Sequence, residues 1–97
     1  MATYIMLANW TDQGIRGIKD SPGRLDAAKK VLKGLGGEFK TFFMTMGEYD
    51  MVALYDAPDD AAAAKFALLL AKQGNVRTKT LKAFAETEYR QIVSAVG

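Results

Sequence analysis

Residues 38–55 read EFKTFFMTMGEYDMVALY. Two runs rich in aromatic, β-branched and thioether side chains, 38–46 and 49–55, flank Gly47-Glu48. Such runs predict paired strands, and a glycine at the first central position suits a two-residue type II′ turn. A helical pattern precedes this hairpin. Ser21-Pro22 is a start signal, Leu25, Ala28, Leu32 and Leu35 recur at helical spacing, and Gly36-Gly37 ends the run. A second helical pattern follows it. Asp56-Ala57-Pro58-Asp59-Asp60 opens that helix, Ala63, Phe66, Ala67 and Leu70 form its apolar stripe, and Gly74 closes it. Beyond each helix lies a further strand pattern, TYIMLANW at 3–10 and VRTKTLKAF at 76–84.

The order β-α-β-β-α-β predicts an α+β, ferredoxin-like sandwich: a four-stranded antiparallel sheet with both helices on one face. Two segments lie outside that frame. Residues 11–24, TDQGIRGIKDSPGR, are expected to form a long connection with conformational freedom, because they hold Gly14, Gly17, Gly23 and a Ser-Pro. Residues 86–96 predict a short amphipathic C-terminal helix carried by Tyr89, Ile92, Val93 and Val96.

With 97 residues the chain is expected to be one domain spanning 1–97. It contains no cysteine and no histidine. Disulfides, Cys- or His-ligated metal or haem, thiol nucleophiles and a Ser-His-Asp triad are therefore excluded, and no cofactor and no metal is expected. Thirteen basic residues against eleven acidic ones leave a net charge of +2. Lys29, Lys30 and Lys33 read as a solvated helix face rather than a nucleic-acid patch, so no nucleic-acid partner is expected. No apolar run approaches the ~20 residues of a membrane span, and the first ten residues lack a signal peptide's basic region. No membrane partner is expected, and the expected location is cytoplasmic.

Both helices can cover only one sheet face, yet neither face reads as polar. Ile5, Leu7, Val52, Leu54, Leu81 and Ala83 form one aliphatic set, expected to face the helices. Tyr4, Met6, Trp10, Met51, Tyr55, Thr78, Thr80 and Phe84 form the other, expected to lie open. In the second strand Phe39/Phe43 and Phe42/Met44 compete for the same side. Either way an apolar sheet face is left uncovered, which marks an interface or ligand groove. Two such sheets face to face would make a dimeric α/β barrel enclosing a cavity, so the chain is expected to be a homo-oligomer.

Gly47-Glu48-Tyr49-Asp50, the strand MVALY and the helix start DAPDD resemble the signature of the GYD-domain family. The stretches Thr11-Asp12-Gln13-Gly14-Ile15 and Gly74-Asn75-Val76-Arg77-Thr78-Lys79-Thr80-Leu81 match the same pattern, so the likeness spans nearly the whole chain. It implies the ferredoxin-like, dimeric α/β-barrel fold and says little about activity. GEYD and NVRTKT are also similar, more weakly, to the ligand-sensing domain of the feast/famine transcription regulators. Those domains bind amino acids between subunits. No helix-turn-helix like theirs is expected in this chain, and so no DNA reader of that kind.

Candidate ligand-binding residues are Trp10, Thr11, Tyr49, Asp50, Arg77, Thr78 and Thr80. An aspartate in an otherwise apolar strand is costly unless paired. Asp50 is therefore expected either to lock the hairpin through hydrogen bonds or to orient a ligand, paired with Arg77. Arg77, Thr78 and Thr80 follow Gly74-Asn75, where a guanidinium and backbone N–H groups suit an acidic ligand. Trp10 and Thr11 suit a cavity mouth. The reading favoured is a homo-oligomeric module that binds a small organic molecule or supports assembly. The alternative is a small cofactor-free enzyme, monooxygenase- or isomerase-like, with Asp50 as base beside Tyr49, Trp10 and Arg77.

Overall fold

The breaker-free run after Met1 becomes the central strand of the sheet in the computed structural model, which describes all residues 1–97. The elements are β1 (Ala2–Trp10), α1 (Asp12–Arg16), a 3-10 turn (Ile18–Asp20), α2 (Ser21–Gly34), β2 (Glu38–Met44), β3 (Met51–Ala57), α3 (Asp60–Lys72), β4 (Val76–Ala83) and α4 (Glu86–Ser94). The sheet order is β2-β3-β1-β4, with every neighbour antiparallel. Both α2 and α3 pack on one face, which is the ferredoxin-like arrangement.

The two sheet faces are exchanged relative to the sequence-based expectation. Tyr4, Met6, Ala8, Met51, Ala53, Tyr55 and Ala57 are buried, and Tyr4, Met6, Ala53, Tyr55 and Ala57 share one core with Ala28 and Leu32 of α2 and Ala62, Ala63 and Phe66 of α3. Ile5, Leu7, Val52 and Leu54 point the other way and are only half-buried. Volume explains the choice. Alanines at positions 8, 53 and 57 leave room for helices over the sheet, while Tyr4, Tyr55 and Phe66 fill the remainder as stacked and edge-on rings 5.4 and 5.3 Å apart. Tyrosine also brings a polar tip that reaches the rim: the Tyr4 hydroxyl donates to Asp60 Oδ1 at 2.6 Å.

In β2 a bulge settles the competition in favour of neither strict alternation. The register shifts between Phe39 and Thr41, so Phe39 opposite Tyr55, Phe42 opposite Ala53 and Met44 opposite Met51 all face the helices. Thr41 and Phe43 take the open face opposite Leu54 and Val52.

Three local expectations also change. The hairpin is longer than a two-residue turn: β2 stops at Met44 and β3 starts at Met51, closed by Thr45 N–H to Asp50 O at 2.7 Å. Asp56-Ala57 extend β3 instead of opening the helix, and Asp59 caps α3 by accepting from Ala62 N–H at 2.9 Å. Residues 11–24 are not a loose connection but α1, the 3-10 turn and the first turn of α2.

The open face keeps its apolar character with no helix over it. Phe43 and Leu81 are 58% and 49% exposed there, beside Ile5, Leu7, Val52 and Leu54. The amphipathic α4 is also uncovered, with Tyr89, Ile92 and Val93 about half exposed, and the molecule measures 52 × 31 × 18 Å. No helix is long and apolar enough to cross a membrane.

Burial, reinforced by the bond to Asp60, pushes the Tyr4 phenol from 10.0 up to about 12. A raised folded-state pKa stabilises the fold fully below the unfolded value, and that stability is lost as pH climbs through the folded value. Two units correspond to about 3 kcal/mol. Tyr4→Phe should cost about 1 kcal/mol at neutral pH by deleting the hydrogen bond. Urea denaturation from pH 9 upward should show the wild type's advantage over Tyr4→Phe shrink and then reverse as pH passes from 10 to 12; a constant difference would refute this assignment.

Candidate functional site

β1 is hydrogen-bonded on both sides until Trp10, where the chain must leave the sheet without orphaning its backbone groups. Three segments meet there. From the β2–β3 connection, the Asp50 carboxylate accepts the Trp10 N–H at 3.0 Å, and the Asp50 N–H donates to Ala8 O and Asn9 Oδ1 at 3.0 and 2.9 Å. From the α3–β4 turn, Asn75 O accepts the Thr11 N–H at 3.1 Å and Gly74 O accepts the Thr11 hydroxyl at 2.6 Å. Thr11 Oγ also caps α1 by accepting from Gly14 N–H, and the Gln13 amide donates to Gln73 O and Asn75 Oδ1, each at 3.0 Å. Gly14 is required by contact: a Cβ there would collide with the Asn75 carbonyl oxygen. The TDQG, GEYD and GN stretches are thus one interlocked clasp around the end of β1.

Inside the clasp, between α2, the end of α3 and the sheet, lies a half-open cavity of about 350 Å³. Its walls come from β1 (Met6, Ala8, Trp10), β2 (Phe39, Phe42, Met44), β3 (Met51, Ala53) and α2 (Leu25, Ala28). Leu70, Gln73, Asn75, Val76 and Thr78 close the far side. Arg24 is the only charged residue on the lining, and its two terminal nitrogens donate to Gly17 O and Gly14 O at 3.0 and 3.2 Å. The Trp10 indole N–H donates to Ser21 Oγ at 3.3 Å, so the serine that reads as a helix cap holds the tryptophan instead. No group of three or more acidic side chains converges as a metal site.

The structure separates the sequence-derived candidates. Trp10 and Thr78 line the cavity. Thr11 and Asp50 belong to the clasp, with their polar atoms engaged by backbone. Tyr49 is half-buried under Lys79, whose ammonium lies 5.6 Å from the ring centroid and 3.5 Å from the hydroxyl. Arg77 is exposed opposite Asn9 on the open-face side of β4, away from the cavity lining. Thr80 is exposed on the helix side of the same edge strand, near the Tyr55 hydroxyl. That hydroxyl is buried without a hydrogen-bond partner, and burial pushes its pKa up. Sequence reasoning missed Met6, Phe42, Met44, Met51 and Leu25 as cavity residues. The signal available was the helix-side alternation of the strands combined with small residues at Ala8, Ala28 and Ala53.

The sequence profile of the GYD domain matches residues 4–93. A Thermus thermophilus protein named glutamine synthetase and cystathionine beta-lyase binding protein is 33% identical over 84 residues, covering 86% of this chain and 88% of the relative. Among solved structures, that of FFRP-DM1 aligns with a TM-score of 0.58 at 19% identity, over 87% of this chain and 100% of that one. A Thermus thermophilus protein of solved structure aligns at 0.54 and 24% identity, over 88% and 95% of the two chains. A hypothetical protein of Pyrococcus horikoshii aligns at 0.54 and 18%, over 89% and 93%. These structures share the ferredoxin-like fold.

If the clasp holds the fold, Asp50→Ala should cost about 1–3 kcal/mol in urea denaturation, by leaving the Trp10 N–H without its acceptor. Asp50→Asn keeps an acceptor oxygen and should lose less than half as much; equal losses would show that charge rather than the bond matters. Gly14→Ala should cost at least as much as Asp50→Ala, because α1 must move off Asn75.

Proposed function

The chain belongs to the GYD-domain family, and from that premise we propose that it is a homo-oligomeric binding module whose copies pair through the open sheet face. The observation that carries this reading is the face itself. Ile5, Leu7, Phe43, Val52, Leu54 and Leu81 come from all four strands and lie together with no helix above them. An apolar surface of this kind is characteristic of interfaces. Two sheets laid face to face bury it and form a dimeric α/β barrel. The α4 stripe, Tyr89, Ile92 and Val93 at i, i+3 and i+4, offers further apolar cover to a neighbouring copy.

Binding rather than turnover is supported by the Thermus relative, whose name describes a protein that binds two enzymes. That name, with the uncovered α4, favours a second reading in which the oligomer docks a protein partner through α4. A small organic ligand is the other class of target, and the cytoplasm is where we expect the module to work.

The test is the mass of the particle in solution. Light scattering or native mass spectrometry at micromolar concentration should give a dimer or higher oligomer for the wild type. Leu54→Glu places a charge in the centre of the face and should give a folded monomer, with its circular dichroism unchanged. A wild type that is monomeric throughout overturns the pairing.

A further inference from the structure

We propose that the cavity between α2 and the sheet is a binding site for a small, uncharged aromatic molecule. The proposal rests on the reading of the chain as a binding module, but not on how copies pair, because the cavity opens on the opposite side of the sheet from the pairing face.

The hollow is built by the sequence. On the helix side of β1 the order is Tyr4, Met6, Ala8; on β3 it is Tyr55, Ala53; on α2 it is Leu32, Ala28. At one end of these elements Tyr4, Tyr55 and Leu32, each no more than 2% exposed, close on Phe66 and leave no space. At the other end Ala8, Ala53 and Ala28 border one space from β1, β3 and α2, and Trp10 lines it beside them. The space they leave, about 350 Å³, lies at the lower end of the ~300–1,000 Å³ usual for small-molecule pockets.

The lining selects the chemistry of the occupant. Met6, Met44 and Met51 bring three thioethers to a site that also holds Trp10 and Phe42, and sulfur and ring edges make favourable contacts with an inserted aromatic ring. No carboxylate stands on the wall, so a cation finds no counter-charge. Arg24 is the one charged side chain present, and the bonds of its terminal nitrogens to Gly17 O and Gly14 O commit it to holding α1 and the 3-10 turn over the site. Those bonds use two of the guanidinium's five N–H donors and fix it in place, so an anion would find one immobile partner on an otherwise uncharged, largely apolar wall, too little to replace its hydration shell. A neutral ring has no such shell to lose, and the Thr78 hydroxyl offers it one hydrogen-bonding position at the edge.

The experiment uses two fluorescent probes that share an aromatic framework: neutral N-phenyl-1-naphthylamine and its sulfonated counterpart, 8-anilino-1-naphthalenesulfonate. The neutral probe should bind the wild-type chain saturably, one per chain, and the sulfonate should bind at least about tenfold more weakly because the single fixed Arg24 guanidinium does not repay the loss of the sulfonate's hydration. With methyl-¹³C methionine, the neutral probe should shift Met6, Met44 and Met51, which line the cavity, and leave Met1 and Met46, which do not, in place. Filling the cavity from either wall, by Ala53→Phe or Ala28→Leu, should weaken the neutral probe about tenfold or more. The methionine shifts need no variant, so a filled variant that fails to fold leaves the proposal testable. Equal affinity for both probes, unmoved Met6 and Met51, or loss of the neutral probe in Leu54→Glu would overturn the cavity site. The last outcome would move the probe to the pairing face and leave the sheet-pairing reading standing. A probe that binds as described to a chain that is monomeric leaves the cavity site standing and removes the pairing.

Discussion

Much of this structure depends on how β1 ends. The strand is hydrogen-bonded on both sides, so at Trp10 and Thr11 two backbone N–H groups leave the ladder together in a half-buried place. They are satisfied by groups far away in sequence: the Asp50 carboxylate at 3.0 Å and the Asn75 carbonyl at 3.1 Å. Because the same aspartate returns its own N–H to Ala8 O, the β2–β3 connection cannot shift without breaking bonds in both directions. The α3–β4 turn is tied equally from Thr11 and Gln13. Both connections are thereby anchored to one strand end. An orphaned buried N–H costs about 1–3 kcal/mol, so the two together reach a substantial fraction of the about 5–15 kcal/mol that holds a domain folded.

That constraint explains what the three motif stretches do. Gly14 permits α1 to lie against the α3–β4 turn, and Gly74, at a φ of +83°, sits under the Gln13 side chain in a conformation that other residues rarely adopt. Asp50 looks like a buried charge in an apolar strand when only its neighbours are read. In the fold it stands just outside β3 and acts as a cap for a different strand. The resemblance to the GYD domain therefore tracks residues that hold the frame together at least as much as residues free to meet a ligand.

The order of the four strands with α2, α3 and α4 was legible in the sequence because it depends on local signals: the hairpin around Gly47, helix stops at Gly36 and Gly74, and apolar spacing in the helices. The choice of sheet face was not. Ile5 and Met6, or Val52 and Ala53, are apolar neighbours on opposite faces, and alternation identifies two faces without saying which one the helices cover. Volume decides that question, and volume complementarity is a relation between segments: the Ala8–Ala53 side of the sheet fits helices that present Ala28, Ala62 and Ala63. The β2 bulge escaped for the same reason, since Phe39 and Phe42 share a face only if Lys40 is passed over in the pairing with β3. Of the candidate site residues, Trp10 and Thr78 meet at the cavity because both are on the helix side near the end of β1, a placement that requires the register to be known.

A sheet with two apolar faces also gives the 49% hydrophobic composition a specific cause. A covered single-faced sheet needs an apolar residue at every second position. Here consecutive positions such as Tyr4-Ile5-Met6-Leu7 are all apolar, because the even ones serve the helix side and the odd ones the open side. The helix side is not filled uniformly: it is solid around Tyr55 and Phe66 and hollow around Ala8 and Ala53. Filling the hollow with larger side chains would add dispersion contacts and stabilise the chain, within the limits of overpacking. An unfilled space beside a close-packed aromatic core is thus a place where stability has been left ungained. It lies next to the clasp that keeps its walls in position, so the chain holds open, beside a hydrogen-bonded strand end, an apolar volume that it does not fill itself.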